Sequence, residues 1–236
     1  MEVIFALLLG FVPGLLWLAF FLKEDVHQEP RRMIAQTFIM GGLGAFAALV
    51  LEYFSSVPLK QLIITIPGFI EDNLSTFIGF AIIEEAVKFF FVWRVIRKNL
   101  YFDEPIDAMI YMVTGALGFA TAENFFIVLS NGVGDIFSVV VLRFVGATLL
   151  HALSSASVGY LWAWGMKRKI QGIYIAWGIL VGSVVHLIFN FLVFKFNDLL
   201  VYPTIFLAII GFFVLYDFEK LRRIEEDDVN IPMAKD

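Results

Sequence analysis

The chain is a succession of apolar stretches, each about as long as a bilayer is thick. A membrane span needs about 20 mostly apolar residues. Runs of that kind recur at approximately Val3–Leu22, Met33–Phe54, Asn73–Ile96, Pro105–Leu129, Ile136–Gly165, Gly172–Phe194 and Val201–Phe218. Hydrophobic residues make up 60% of the chain, against about 45–50% in soluble domains, more than a soluble fold can hide. Lipid offers backbone amides no partner, so each span must satisfy its own N–H and C=O groups as a helix. The expected fold is therefore all-α, a polytopic membrane helix bundle of about seven transmembrane helices. The first run is kept as a helix: it lacks a basic leading segment, and "KEDVHQ" follows where a small-residue cleavage site would stand. Leu59–Phe69, between Pro58 and the region of Pro67, is too short to cross and reads as an interfacial or re-entrant piece.

The basic residues set the orientation, because Lys and Arg are retained on the cytoplasmic side. Lys23, Arg31 and Arg32 follow the first run; Arg94, Arg97 and Lys98 end the third; Lys167, Arg168 and Lys169 follow the fifth; Lys220, Arg222 and Arg223 follow the seventh. The connections between hold only Lys60 and Lys195. This alternation places the N-terminus outside and the C-terminus in the cytoplasm. It also gives one transmembrane domain over residues 1–218 and a short charged cytoplasmic tail over 219–236. The chain has no cysteine, which excludes thiolate chemistry and Cys-ligated zinc, and its net charge of -5 without a basic run points away from nucleic acid.

Against this background "FAIIEEAVKFFFVW" stands out. At about 1.5 Å per residue, Glu84 and Glu85 lie some ten residues inside the outer end of the third span, near mid-membrane. An ionised carboxylate or ammonium there costs about 2.5–3.5 kcal/mol on insertion scales, so such groups face the bundle interior and mark function. Lys88 stands at i+4 from Glu84 and i+3 from Glu85, on a shared face. It can neutralise one glutamate and leaves the other for further partners.

Other polar residues at membrane depth indicate where those partners come from. The fourth span carries Glu123 and Asn124, the fifth His151 with Ser154 and Ser155 beside it, and the sixth His186 and Asn190 on one face. Two of the three histidines of the chain thus sit in the membrane. His27, in a charged loop, reads as solvated. Arg143 reads as a structural partner of Glu123, Glu52 and Asp107 as span-end residues, Gly41, Gly42, Gly44, Gly115 and Gly118 as close-packing positions, and the Phe and Trp stripes as lipid-facing bulk.

These residue types suit hydrolysis of an amide bond. Desolvation strengthens a carboxylate as a general base, and His or Asn donors stabilise a tetrahedral oxyanion, a contribution of about 2.7–4 kcal/mol where one donor has been removed. His with Glu equally suits zinc, whose catalytic sites take three protein ligands and a water. Residues alone leave both routes open. His151 and Ser155 at i,i+4 show no resemblance to a nucleophile elbow.

The order "EEAVK", "GFATAEN", His151 and "HLIFN" resembles the PrsW family of bacterial membrane proteases, distant relatives of the CAAX prenyl endopeptidases. The resemblance covers approximately Asn73 to Phe194. It implies a multi-pass protein of the bacterial plasma membrane with an intramembrane active site. The implied activity is the outer-side, site-1 cut of a single-span substrate, a membrane-anchored anti-sigma factor, in a stress response. Carried onto this chain, it implies Glu84 or Glu85 as the base, assisted by His151, with His186 and Asn190 as oxyanion stabilisers and Glu123 as acid partner or metal ligand. The cofactor is either none or a divalent metal, zinc, with candidate ligands Glu85, Glu123, His151 and His186. One departure is visible: the CAAX pattern Phe-x-x-x-His has Glu123 in the place of His after Phe119. The implied site residues should converge on a water-accessible cavity. The competing reading is an ion- or proton-coupled transporter with a Glu/His relay, although neither an internal repeat nor a broken helix supports it.

Overall fold

The computed structural model describes residues 2–25, 27–61, 74–131, 146–196 and 199–230. Among them lie seven helices and no strand: α1 (Glu2–Phe21), α2 (Arg31–Gln61), α3 (Leu74–Ile96), α4 (Asp107–Asn131), α5 (Ala147–Lys167), α6 (Gln171–Lys195) and α7 (Val201–Asn230). The all-α membrane bundle expected from the apolar runs is the architecture found.

Helix α4 forms the centre. Its residues are buried almost without interruption from Ile106 to Ala122, as fits a helix apolar all round. Helices α1, α2, α3 and α5 pack on it; α6 packs on α3 and α5, and α7 on α5 and α6. Helix α2 can lie close to α4 because glycines meet at the crossing. A Cβ on Gly41 would stand 1.9 Å from the Gly115 carbonyl oxygen, and one on Gly118 would stand 1.9 Å from that of Phe38. Apolar contact alone draws helices together weakly in lipid, so such close backbone approach carries much of the packing.

Four helical segments among the described residues are long and apolar enough to cross a membrane: Arg31–Ser55, Asp107–Ile127, Gln171–Lys195 and Val201–Ile224. Helix α3 falls short because Glu84, Glu85 and Lys88 share one window, and α5 because His151 and its serines dilute the apolar run. In both, the polar residues point inward. On α3 the buried residues are Ala81, Glu84, Glu85, Val87, Lys88, Val92 and Ile96, most of them at the spacing of one helix face.

Several boundaries differ from the sequence reading. Helix α2 continues to Gln61, so Leu59–Gln61 extends that helix, while 62–73 lies outside the described residues. So does 132–145, which includes Arg143 and the start expected for the fifth span. Helix α7 runs unbroken through Phe218 to Asn230, supported by Glu219, which accepts hydrogen bonds from Arg222 and, at 2.8 Å, from Arg223 Nε. The aromatic stripes divide: Phe46, Phe90, Trp177 and Phe212 are exposed to the lipid side, whereas Phe119, Phe218 and Trp162 are core.

The polar end of the bundle near α2 and α4 is tied by side chains. Tyr111 Oη donates to Glu29 Oε2 at 2.5 Å, and the Glu29 N–H donates to Asp25 Oδ2 at 2.9 Å. Asp107, expected to need no special role, accepts the N–H groups of Asp103 and Glu104 at 3.1 and 2.8 Å and so ties the loop that leads into α4 to its first turn. His27 is exposed but lies 2.8 Å from Glu104 Oε1, a pairing the sequence did not suggest. Burial raises the Glu29 carboxyl above its ordinary value of 4.5, against the opposing hydrogen bond from Tyr111.

Candidate active site

Helices α3, α4, α5 and α6 each contribute a polar residue to one buried cluster. The helical turn decides what each adjacent glutamate meets, because successive residues point about 100° apart. Glu85 faces α5 and α6 and is fully buried. Its Oε1 accepts from Lys88 Nζ and Ser154 Oγ, both at 2.8 Å, and its Oε2 accepts from Ser155 Oγ at 2.9 Å. His186 Nδ1 stands 3.3 Å from the same Oε1. Glu85 is therefore an ionic and hydrogen-bonded anchor with little capacity left for a ligand.

Glu84 is the opposite. Its Oε2 is buried with no hydrogen bond to any described residue. Around it stand Lys88 Nζ at 3.6 Å, His151 Nδ1 at 3.8 Å and His186 Nδ1 at 3.8 Å. These separations are too long for direct hydrogen bonds and of the length that an intervening atom bridges. A buried, ionisable oxygen without a partner is costly unless it serves a ligand.

The partners fix the tautomer of His151. Lys88 Nζ lies 2.8 Å from His151 Nδ1, and an ammonium can only donate. Nδ1 is thus the acceptor, and the ring proton sits on Nε2, which donates to Glu123 Oε2 at 2.7 Å. His186 is turned the other way: Nδ1 faces the acceptor Oε1 of Glu85 and carries the proton. The two imidazoles meet edge to face, with centroids 5.1 Å apart. The face of Phe119 closes one side, 5.6 Å from the His151 ring and 4.7 Å from Lys88 Nζ.

Glu84, Glu85, Glu123, His151 and His186 are thus brought together. Asn190 lies one turn beyond His186 on α6, is half-buried, and makes no side-chain hydrogen bond to a described residue. The cluster is nearly closed: side-chain exposure is 27% at Glu123 and 11% at Glu84, so its most open side is that of Glu123. The two serines were discounted in sequence because no nucleophile elbow surrounds them; their role is to hold Glu85. Lys88 was legible as a partner of one glutamate, not as a donor to His151.

Donor atoms of Glu84, His151 and His186 lie within 4.8 Å of one another, and two His with one Glu are donors that zinc accepts. The carboxylate of that trio is Glu84; Glu85 is saturated and Glu123 is bonded to His151 Nε2, so neither joins it. As arranged, however, the trio does not fit a metal: the His151 Nδ1 lone pair is taken by the Lys88 ammonium, and a divalent ion there would meet a buried positive charge.

Comparison with known proteins identifies the family. Residues 29–216 match the family described as PrsW family intramembrane metalloprotease. Among curated relatives, Protease PrsW of Geobacillus kaustophilus is 32% identical over 64% of this chain and 62% of its own length. Protease PrsW of Oceanobacillus iheyensis is 27% identical over 93% of this chain and 96% of its own. Protease PrsW of Bacillus subtilis is 26% identical over 91% and 94%. No solved structure matches the chain. The family match over most of the sequence sets aside the transporter reading: the chain belongs to the PrsW family and is a multi-pass, membrane-embedded bacterial peptidase.

Proposed function

We propose that Glu84 is the general base of an intramembrane protease that makes the outer-side, site-1 cut of a single-span, membrane-anchored anti-sigma factor as part of a stress response. The observation that carries the chemistry is the orphaned Glu84 Oε2, flanked at 3.8 Å by both histidines. In this reading the Glu84 carboxylate takes a proton from water as the water oxygen attacks the scissile carbonyl carbon. His151, held by Lys88 and Glu123, borders the same carboxylate oxygen. Asn190, one turn beyond His186 on α6, offers its amide N–H to the carbonyl oxygen as it becomes an oxyanion, while the His186 Nδ1–H faces Glu85; His186 joins as a second donor only when its Nε2 is also protonated. The proton then passes to the leaving amine nitrogen as the C–N bond breaks.

The family description as metalloproteases raises a divalent metal as the alternative water activator. We assign the step to Glu84 without it because Lys88 occupies the His151 nitrogen that a metal would need. The outer-side position of the cut follows from the basic-loop orientation, with the N-terminus outside and the C-terminus cytoplasmic. The test is reconstitution of the purified protein with a single-span anti-sigma factor, followed by mass measurement of the fragments. We expect one cut on the outer side of the substrate's span. Cleavage on the cytoplasmic side, or none with any single-span substrate, contradicts the reading.

A further inference from the structure

We propose that Lys88 is a positioning residue whose ammonium is the resident cation of this site, holding His151 in its Nε2–H tautomer and excluding a divalent metal from the Glu84–His151–His186 trio. The inference rests on the protease reading and deepens it. Lys88 is fully buried, and each of its interactions points into the cluster. Nζ donates to Glu85 Oε1 and to His151 Nδ1, both at 2.8 Å, stands 3.6 Å from Glu84 Oε2, and lies 4.7 Å from the centre of the Phe119 ring.

Three consequences follow from an ammonium in that position. An ammonium has donors and no acceptor, so it forces the His151 proton onto Nε2, where Glu123 accepts it at 2.7 Å. The Lys88–His151–Glu123 chain then fixes the ring plane, much as a carboxylate orients a metal-bound histidine from outside the coordination sphere. A fixed positive charge beside Glu84 also supplies, from the chain itself, part of the compensation that two adjacent buried carboxylates require. Finally, the His151 nitrogen that a His, His, Glu metal site would need is already taken by Nζ. The same three donors are metal-competent when the lysine is absent and metal-poor when it is present.

The experiment uses full-length protein in detergent, with histidine ring 15N spectra and zinc binding as readouts independent of cleavage. His151→Gln assigns the ring signals. Lys88→Met strands Glu85 without its counter-ion, so the double variant Lys88→Met, Glu85→Gln is made beside it to remove both charges. We expect wild-type His151 protonated on Nε2 with weak zinc binding. In the double variant we expect a mixed tautomer and zinc affinity higher by at least about tenfold, the scale on which groups outside the coordination sphere act. A wild-type His151 protonated on Nδ1 overturns the proposal without recourse to any variant. So does zinc binding in wild type as tight as in the double variant. Absence of cleavage by wild type would instead overturn the protease reading, and retained cleavage by Glu84→Gln the assignment of Glu84 as its base, so these failures are distinguishable from that of the Lys88 proposal.

Discussion

Glu84 and Glu85 are neighbours in the chain, yet one carboxylate is saturated by Lys88, Ser154 and Ser155 while an oxygen of the other has no hydrogen bond. On the function proposed above, this division gives stability to Glu85 and chemistry to Glu84. Removing one partner of a buried ion pair typically costs about 3–5 kcal/mol, and stranding a buried acceptor about 1–3 kcal/mol. Lys88→Met should therefore lower the thermal midpoint most, Ser154→Ala and Ser155→Ala less, and Glu84→Gln least. Thermal unfolding in detergent measures the order, and a Glu84→Gln midpoint below that of Lys88→Met contradicts it.

Orientation is tested by reporters. In the orientation expected from the basic residues of the loops, Lys169 and the C-terminus lie in the cytoplasm and the segment near Asn131 outside. A reporter inserted after Lys169 should read as cytoplasmic and one near Asn131 as external. The reverse at Asn131 would turn the site, and the side of the cut, around.

The Glu29 carboxyl, outside the spans, gives a pH dependence of defined sign. Burial raises it above 4.5 in the folded protein, so the folded state holds its proton more tightly than the unfolded chain does. Its contribution is fully present below that ordinary value and is lost as pH rises through the raised one. Glu29→Gln should flatten this decline. Midpoints of both proteins measured from mildly acidic to neutral pH check it; identical slopes would show that Glu29 does not carry the effect.

The crossing of α2 and α4 leaves no room for side chains at Gly41 and Gly118. Because a Cβ at either would fall 1.9 Å from a carbonyl oxygen of the other helix, Gly118→Leu should separate the helices and abolish the cooperative unfolding transition. Gly172→Leu, where nothing lies within 4 Å of an added Cβ, should leave it unchanged. Equal effects of the two would mean that close approach does not hold α2 on α4.

Much of this was legible because charge at membrane depth is expensive. "EEAVK" announced a buried cluster, and the third span, read as Asn73–Ile96, is found as Leu74–Ile96. The choice between Glu84 and Glu85 was not legible, because it depends on which neighbouring helices stand on either side of a 100° turn. The hold of Ser154 and Ser155 on Glu85 was not legible for a related reason: a hydroxyl in a membrane helix commonly bonds its own backbone, as Ser157 does with Leu153. Nothing local indicates that two of them reach another helix. The extension of α7 through "EKLRRIEEDD" was missed because the apolar run ends at Phe218, while the charged residues beyond it remain good helix formers.

The most direct measurement is single-turnover cleavage of a single-span substrate by wild type and Glu84→Gln, each shown to be folded by its unfolding midpoint. General-base contributions are typically about 100- to 10,000-fold. We expect Glu84→Gln to fold as wild type does and to lose cleavage by at least the lower end of that range. Folded Glu84→Gln that cleaves at the wild-type rate would contradict the assignment of Glu84 as the base.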